Sequence, residues 1–292
     1  MSHRSNPIWS YLLLLFFGLT VASRFDLPQV ELQRNGSSPL PLESWTGKRL
    51  LFICAHVDDM EGSSAGLVSM LKGKVEVSLL ILTNGDKGCG NPEYCTNKTN
   101  ADVAGIRQKE QMNSAQILGI PAENIYFLSY EDCLLATVPT STVVPELVGW
   151  IRQIKPHIII TWDPTPRFEL IPSQAWQDLG FHPDHQVSGK LALDAAWIAH
   201  EDRLWPQMGP GWRPEQVYFF SFTPATLPTH YLDITGEPFQ TKYESFLQMK
   251  SQYLPGQEKE MEAFFALLGS RIASQIGLPI GRFAEAYNYV LW

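Results

Sequence analysis

Short apolar runs bounded by turn residues alternate with longer helical stretches along most of this chain. The runs at residues 49–55 (RLLFICA) and 75–83 (VEVSLLILT) are typical of parallel strands that are buried on both faces. Strands that alternate with helices join through right-handed crossovers. The sequence therefore predicts an α/β fold, a doubly wound, Rossmann-like parallel sheet with helices on both faces.

The remaining elements follow the same alternation. Further strands are predicted at residues 124–129, 157–162 and 216–222, and helices at 63–72, 102–118, 142–154 and 184–200. The tail over residues 239–275 is predicted to be mostly helical. We expect a single domain over residues 48–292, preceded by a linker over residues 24–47 and an N-terminal leader over residues 1–23.

The composition argues against a disordered chain and against a nucleic-acid-binding protein. The chain has 30 acidic and 22 basic side chains, a net charge of −8, and 45% hydrophobic residues. A chain this apolar folds into a globular domain rather than remaining disordered. Because it is acidic and has no basic block, we expect no nucleic acid among its partners.

The leader resembles a secretory signal peptide. Residues 11–22 (YLLLLFFGLTVA) are uncharged and apolar, Arg4 precedes them, and small residues follow at 21–23. Twelve residues are fewer than the roughly 20 that span a bilayer. An uncleaved signal anchor that starts near Ile8 is the alternative. We expect the secretory pathway, with a secreted protein, or an endoplasmic reticulum protein in contact with the membrane if the leader is retained.

Sequons and cysteines agree with that compartment. Sequons begin at Asn35 and Asn97, both in polar stretches. Cys89 and Cys95 flank a short loop that could close into a local disulfide. Cys54 lies in an apolar run and is expected to be a buried thiol, whereas the state of Cys133 stays open.

Two clusters of ligating side chains stand at predicted strand ends or helix starts. Residues 56–59 (HVDD) follow the first strand, and residues 182–185 (HPDH) open a later helix. In a doubly wound sheet, ligands bind beyond the carboxyl ends of the strands. Two imidazoles and one carboxylate would suit Zn²⁺, and the spare carboxylate could act as a base. Alternatively, the aspartates cap the helix and the histidines are ordinary surface residues.

The first cluster also carries a family resemblance. Residues 55–60 (AHVDDM) resemble the AHPDDE signature of the PIG-L/LmbE-like family, which includes N-acetylglucosaminyl-phosphatidylinositol de-N-acetylase and other zinc-dependent sugar de-N-acetylases. Residues 83–88 (TNGDKG), 107–119 (RQKEQMNSAQILG) and 182–185 match further family motifs in the same order. The ordered set is far more specific than the first motif alone.

The resemblance implies roles for individual residues. His56, Asp59 and His185 would be the ligands of Zn²⁺, and Asp58 would be the general base. His182 would stabilise the oxyanion and help the amine to leave. The implied reaction is hydrolysis of the acetamide of an N-acetylglucosamine-type sugar, on a glycan, a glycoconjugate or a glycolipid.

Three further residues receive supporting roles. By the same resemblance, Arg107 and Asp132 would hold sugar hydroxyls, and Asp184 could tune His182. The alternative for Arg107 is a structural role on the helix surface.

The chain departs from the family pattern at several positions. Val57 replaces a proline, and Met60 replaces the final acidic residue, so that the acid appears one position later as Glu61. Lys250 stands where a histidine often precedes Ser-Gln. A carbohydrate-binding pseudoenzyme, in which the altered loop retains a sugar cleft without turnover, is therefore one alternative. An unrelated metal-dependent hydrolase is another.

Overall fold

The structure, a computed structural model, describes residues 36–165, 182–220 and 228–290. The leader and the Asn35 sequon lie outside the described residues. Within these ranges the strands form one eight-stranded sheet in the order β1-β7-β8-β6-β5-β2-β3-β4. The strands are β1 (Ser38–Pro39), β2 (Arg49–Cys54), β3 (Glu76–Thr83), β4 (Ile125–Tyr130), β5 (Ile158–Trp162), β6 (Gln216–Phe220), β7 (His230–Asp233) and β8 (Ala284–Tyr289).

The sheet is mostly parallel, as predicted. The five neighbours β6-β5-β2-β3-β4 run parallel, and β1 pairs parallel with β7. β8 is antiparallel to both β6 and β7. The sequence did not predict β7 or β8, which flank the helical tail and add an antiparallel edge region to the doubly wound sheet.

Helices cover both faces of the sheet. They are α1 (Asp59–Leu71), α2 (Pro92–Cys95), α3 (Asn100–Leu118), α4 (Thr140–Ile154), α5 (Pro183–Ile198), α6 (Glu237–Phe246) and α7 (Glu258–Gln275). Among the described residues, no helix combines the length and the apolarity of a membrane span.

Alternate side chains of β2 enter two separate cores. Leu50 and Phe52 pack in the core that contains α1 and α3 residues, whereas Leu51 and Ile53 pack in the core that contains α4 and α5 residues. All four side chains are fully buried. Burial of such a side chain contributes about 1.5–3 kcal/mol. The continuous apolar run in the sequence therefore reports a strand that is buried on both faces.

Part of the expected linker is structured. The compact unit of the chain begins at Gly36 rather than at Lys48. Trp45 is fully buried and donates from Nε1 to Gln216 Oε1 at 2.9 Å. The prediction of a linker over residues 24–47 is therefore wrong for its described part, because that part supplies the sheet edge and a core tryptophan.

The order of the strands puts the topological switch point of the sheet between β2 and β5. The chain proceeds from β2 outward to β3 and β4, and then returns to β5 on the other side of β2. Loops at such a switch point diverge to opposite faces of the sheet and leave a crevice at the carboxyl ends of the strands. Both ligating clusters lie at this edge.

Candidate active site

The loop after β2 turns sharply into a helix. Asp58 has φ +91° and ψ −17°, a left-handed conformation that is uncommon for a residue other than glycine. Its carbonyl oxygen accepts from the Gly62 N–H at 2.8 Å, so that α1 begins at Asp59, four residues before the predicted start at residue 63. The sharp turn gives the two adjacent aspartates different partners.

Three donor atoms converge beyond β2. His56 Nδ1 lies 3.0 Å from His185 Nε2, which lies 3.3 Å from Asp59 Oδ1. The third distance, from His56 Nδ1 to Asp59 Oδ1, is 3.8 Å. Ligand atoms about 2.0–2.1 Å from a tetrahedral zinc stand about 3.3–3.5 Å apart. These three buried side chains therefore fit a zinc ion, which the structure does not contain.

Other donor atoms lie nearby. Ligand atoms of His56, Asp132, His182 and Asp184 also fall within 4.8 Å of one another. In that group, His56 turns its other nitrogen, Nε2, toward Asp132 Oδ1 at 3.1 Å and Asp184 Oδ2 at 3.4 Å. A histidine that binds a metal through one nitrogen usually presents the other to a carboxylate. The Nδ1 side of His56, which faces His185 and Asp59, is therefore the side that could hold a metal.

Neighbouring carboxylates raise the pKa of His56. Burial acts to lower the pKa of His56, but Asp132, Asp184 and Asp59 together hold it well above its usual value. Burial acts to raise the pKa of Asp59, but His185 and His56 hold it well below its usual range. The cluster is thus built around an ionised Asp59.

Asp59 is fixed by three hydrogen bonds to one oxygen. Its Oδ2 accepts from the backbone N–H groups of Ala55 and His56, at 2.8 and 3.0 Å, and from Trp162 Nε1 at 2.6 Å. Oδ1 is left facing the two histidines. The Trp162 ring also stacks on the His185 ring, with centroids 3.7 Å apart. Sequence reasoning missed Trp162, whose signal was its place at the end of a buried strand.

Arg107 forms an ion pair with Asp58, the aspartate that precedes Asp59. Its Nη2 donates to Asp58 Oδ2 at 2.6 Å and to the Val57 carbonyl oxygen at 2.5 Å. Burial acts to raise the pKa of Asp58, Arg107 opposes this, and the pKa remains above its usual value. The guanidinium, which we expected to hold sugar hydroxyls, is 3% exposed and faces Asp58.

Two glycines make room for the guanidinium. A Cβ at Gly88 would lie 2.4 Å from Arg107 Nη1, and one at Gly85, where φ is +61°, would lie 2.9 Å from it. Arg107 Nη1 also donates to the Gly85 carbonyl oxygen at 3.2 Å. The TNGDKG motif therefore provides a glycine cradle for the arginine.

Asp132 and Asp184 are both buried behind His56. Asp132 Oδ2 accepts from the Lys87 N–H at 3.1 Å, while its Oδ1 faces His56. Asp132, expected to hold sugar hydroxyls, is only 2% exposed. The Asp184 carboxylate accepts from the backbone N–H groups of Cys133 and Leu135, at 2.8 and 3.2 Å. These contacts suit residues that orient His56 and the β4–α4 loop.

His182 caps α5 and lies at the edge of the cluster. Its Nδ1 accepts from the Asp184 backbone N–H at 3.3 Å, which places the proton of the neutral ring on Nε2. Burial and the neighbouring His56 and His185 lower the pKa of His182 to about 4. The Asp184 side chain therefore acts on His182 through its negative charge, which raises the pKa of that ring but does not outweigh burial and the two histidines, whereas the hydrogen bond to the ring comes from the Asp184 backbone.

A disulfide loop flanks the glycine cradle. Cys89 and Cys95 are bonded, as the sequence predicted, while Cys54 is a buried thiol and Cys133 an exposed one. Gln252 Nε2 donates to the Gly88 carbonyl oxygen at 3.0 Å. The 3-10 turn that contains Gln252 thus braces the loop from the C-terminal part of the chain.

Comparison with known proteins places the chain in a family. Residues 51–196, half of the chain, match the PIG-L family, described as GlcNAc-PI de-N-acetylase. A 1D-myo-inositol 2-acetamido-2-deoxy-alpha-D-glucopyranoside deacetylase from Rhodococcus erythropolis is 26% identical over 194 residues, which cover 60% of this chain and 61% of that protein. The chain thus spans about six tenths of the length of the curated relatives it matches.

Solved structures share the fold. N,N'-diacetylchitobiose deacetylase from Pyrococcus horikoshii superposes with a TM-score of 0.69 at 23% identity, over 83% of this chain and 84% of that one. A 4-carboxy-2-hydroxymuconate hydratase from Pseudomonas putida superposes with a TM-score of 0.65 at 20% identity, over 84% of this chain and 97% of that one. Because the second neighbour is a hydratase, the fold by itself does not fix the reaction. The match to the family model over residues 51–196 shows that the chain belongs to the PIG-L family.

Proposed function

We propose that this protein is a zinc-dependent de-N-acetylase that hydrolyses the acetamide of an N-acetylglucosamine-type sugar. The observation that carries the proposal is the separation of two aspartates, with Asp59 among the histidines and Asp58 beside them on Arg107. This separation supports a division of roles in which Asp59 binds a metal and Asp58 takes part in proton transfer. Membership of the PIG-L family agrees with this division.

His56, Asp59 and His185 are the residues that would hold the zinc. Two imidazoles and one carboxylate, with an open fourth position, are a typical catalytic donor set. Bound there, zinc would supply Lewis acidity toward the acetyl carbonyl and lower the pKa of a water molecule. Trp162, Asp132 and Asp184 contact these ligands and keep their donor atoms in place.

Asp58 is the group that accepts a proton from the attacking water. Its Oδ2 is held by Arg107, which fixes the direction of the carboxylate. Hydrolysis adds water across the C–N bond and gives acetate and a free amine. The proton that Asp58 takes from water can pass to the departing nitrogen, so that the carboxylate returns to its starting state.

His182 supplies a hydrogen bond rather than a charge. Since its pKa is lowered to about 4, the ring is neutral at pH 7 and offers Nε2–H as a donor. A neutral donor at the edge of the metal cluster can stabilise the oxyanion that forms as the carbonyl carbon becomes tetrahedral.

The relatives support this substrate class. Proteins similar to this chain deacetylate an N-acetylglucosaminyl inositol, and a fold neighbour deacetylates N,N'-diacetylchitobiose. An N-acetylglucosamine residue is common to both and to the lipid substrate of the family description. The leader and sequons support the secretory pathway as the compartment, with membrane contact only if the leader is an uncleaved anchor.

Purified mature protein tests the proposal. We expect one zinc per chain and release of acetate from at least one of three probes: N-acetylglucosaminyl inositol, N,N'-diacetylchitobiose and N-acetylglucosaminyl-phosphatidylinositol. Zinc below about a tenth of an equivalent after reconstitution would contradict the metal site. Bound sugar without acetate release, in zinc-loaded protein, would support the pseudoenzyme instead.

A further inference from the structure

α3 presents a buried polar stripe to the loop that follows β2. Arg107, Gln111 and Ser114 lie on one helix face and are 3%, 1% and 0% exposed. Buried polar side chains are costly unless they are hydrogen-bonded. Their partners are Asp58 and Glu61, the residues on either side of the start of α1.

Gln111 bonds to the main chain of Asp58. Its Oε1 accepts from the Asp58 N–H at 3.4 Å. Asp58 precedes the first turn of α1, so helical hydrogen bonding does not use this amide. An amide that is shielded from water and lacks an acceptor destabilises the folded state. Gln111 therefore satisfies the amide of the one residue in this loop that has a left-handed conformation.

Glu61 sets the orientation of the Gln111 amide. Its Oε1 accepts from Gln111 Nε2 at 2.5 Å and from Ser114 Oγ at 2.7 Å. An acceptor at this position requires the NH₂ end of Gln111 to face Glu61, which leaves the carbonyl end for Asp58. Since both donors bind the same oxygen, the arrangement persists whether or not the other oxygen carries a proton.

We infer that Gln111 and Glu61 are positioning residues for Asp58. They hold its main chain in the left-handed conformation in which the carboxylate meets Arg107 and lies next to the metal ligands. The inference rests on the proposed function, because it gives Asp58 the role of the base. It also assigns a function to Glu61, the acid that lies one position later than in the family signature. Glu61 is the third residue of α1, and its side chain contacts α3.

Substitution of Gln111 by methionine tests this role. Gln111→Met keeps the length of the side chain and removes both hydrogen bonds. We expect kcat for acetate release to fall about 10–100-fold, since a small misplacement of a catalytic group has effects of this size. KM and bound zinc should change less than about twofold, because no metal ligand loses a partner. The matched control is Gln116→Met on the exposed face of the same helix, which should retain wild-type kcat.

A second pair of variants distinguishes the loss of positioning from a defect in folding. Glu61→Leu should lower kcat as Gln111→Met does, and Glu61→Gln, which keeps an acceptor oxygen, should recover most of the loss. In an Asp58→Asn background, Gln111→Met should have less than about a twofold further effect. Wild-type kcat in folded Gln111→Met, or an equal loss in Glu61→Gln and Glu61→Leu, would overturn the inference.

A structural measurement separates this inference from the proposed function. If wild-type protein released no acetate, the proposed function would fail, but the Asp58 backbone could still be examined. A crystal structure of Gln111→Met in which Asp58 leaves the left-handed region would support the positioning role. Retention of φ near +91° would refute it.

Discussion

Trp162 donates its indole N–H to Asp59 Oδ2 at 2.6 Å, from the last position of β5 to the first position of α1. The same ring stacks on His185. A single side chain therefore orients two of the three proposed metal ligands. The contact joins β5 to the loop after β2 across the switch point of the sheet.

Trp162→Phe should weaken metal binding. The substitution removes the hydrogen bond to Asp59 and keeps an aromatic ring beside His185. Loss of such an orienting partner typically costs about 10–100-fold in metal affinity. Competition with a zinc chelator would measure the change. Trp212→Phe, which removes a tryptophan that donates to the Pro156 carbonyl oxygen away from the cluster, should leave zinc affinity unchanged.

The two adjacent aspartates should respond differently to substitution. Asp58→Asn should keep zinc near its original occupancy while acetate release falls about 10²–10⁴-fold, as expected for a lost general base. Asp59→Ala should lower metal affinity, and activity would fall with it. Elemental analysis together with kcat would decide, and the reverse pattern would show that the two roles are exchanged.

Glu61 should make stability depend on pH. Burial raises its pKa from 4.5 to about 7, so the folded state binds a proton more tightly than the unfolded state. The contribution of Glu61 to the free energy of unfolding is therefore fully present below pH 4.5 and is lost as the pH rises through 7, a change on the order of 3 kcal/mol. Glu61→Gln removes this dependence.

Urea unfolding of metal-free protein would measure that effect. We expect the free energy of unfolding of Glu61→Gln, relative to wild type, to increase between pH 5 and pH 8. A difference that stays constant over this interval would contradict the raised pKa.

Ser251 should stabilise the fold through Glu110. Its N–H and Oγ each donate to the Glu110 carboxylate at 2.7 Å, in the turn that braces the disulfide loop. Ser251→Ala removes one bond to a buried acid and should lower the free energy of unfolding by about 1.5–3 kcal/mol. Ser270→Ala, which loses only a solvent-exposed bond to the Leu267 carbonyl oxygen, should change it by less than about 0.5 kcal/mol.

Expression in a eukaryotic secretory host should modify the segment after β3. We predict that Asn97, which is exposed, carries a glycan, and that Cys89 and Cys95 are oxidised. Peptide mapping by mass spectrometry would detect both. Free thiols at both cysteines with an unmodified Asn97 would count against the secretory compartment.

The sequence predicted the central strands and the two ligating clusters for a shared physical reason. Strands buried on both faces give continuous apolar runs, and side chains that follow them must meet at one edge. The run at residues 49–55 and the HPDH motif are both strong local signals. β8 was not predicted because its sequence, AEAYNY, mixes small, polar and aromatic residues, and its pairing depends on strands that are distant in the chain.

Several contacts within the site could be identified only from the structure. Gln111 and Asp58 are 53 positions apart, and nothing local in the α3 sequence distinguishes Gln111 from the other glutamines. The left-handed conformation of Asp58 is likewise determined by its surroundings, since most residues would reject it. Roles that depend on tertiary contacts, such as that of Trp162, cannot be deduced from local periodicity.

The position of β8 has a consequence for biosynthesis. β8 lies between β6 and β7, so that β7 and β1 join the rest of the sheet only through it. During translation, β2 to β6 can pair as they emerge, but the sheet cannot be completed until residues 284–289 have left the ribosome. Until then the outer edge of β6 is unpaired, and an unpaired edge invites association with other chains. A nascent chain that stalls before β8 should therefore depend on chaperones to stay soluble.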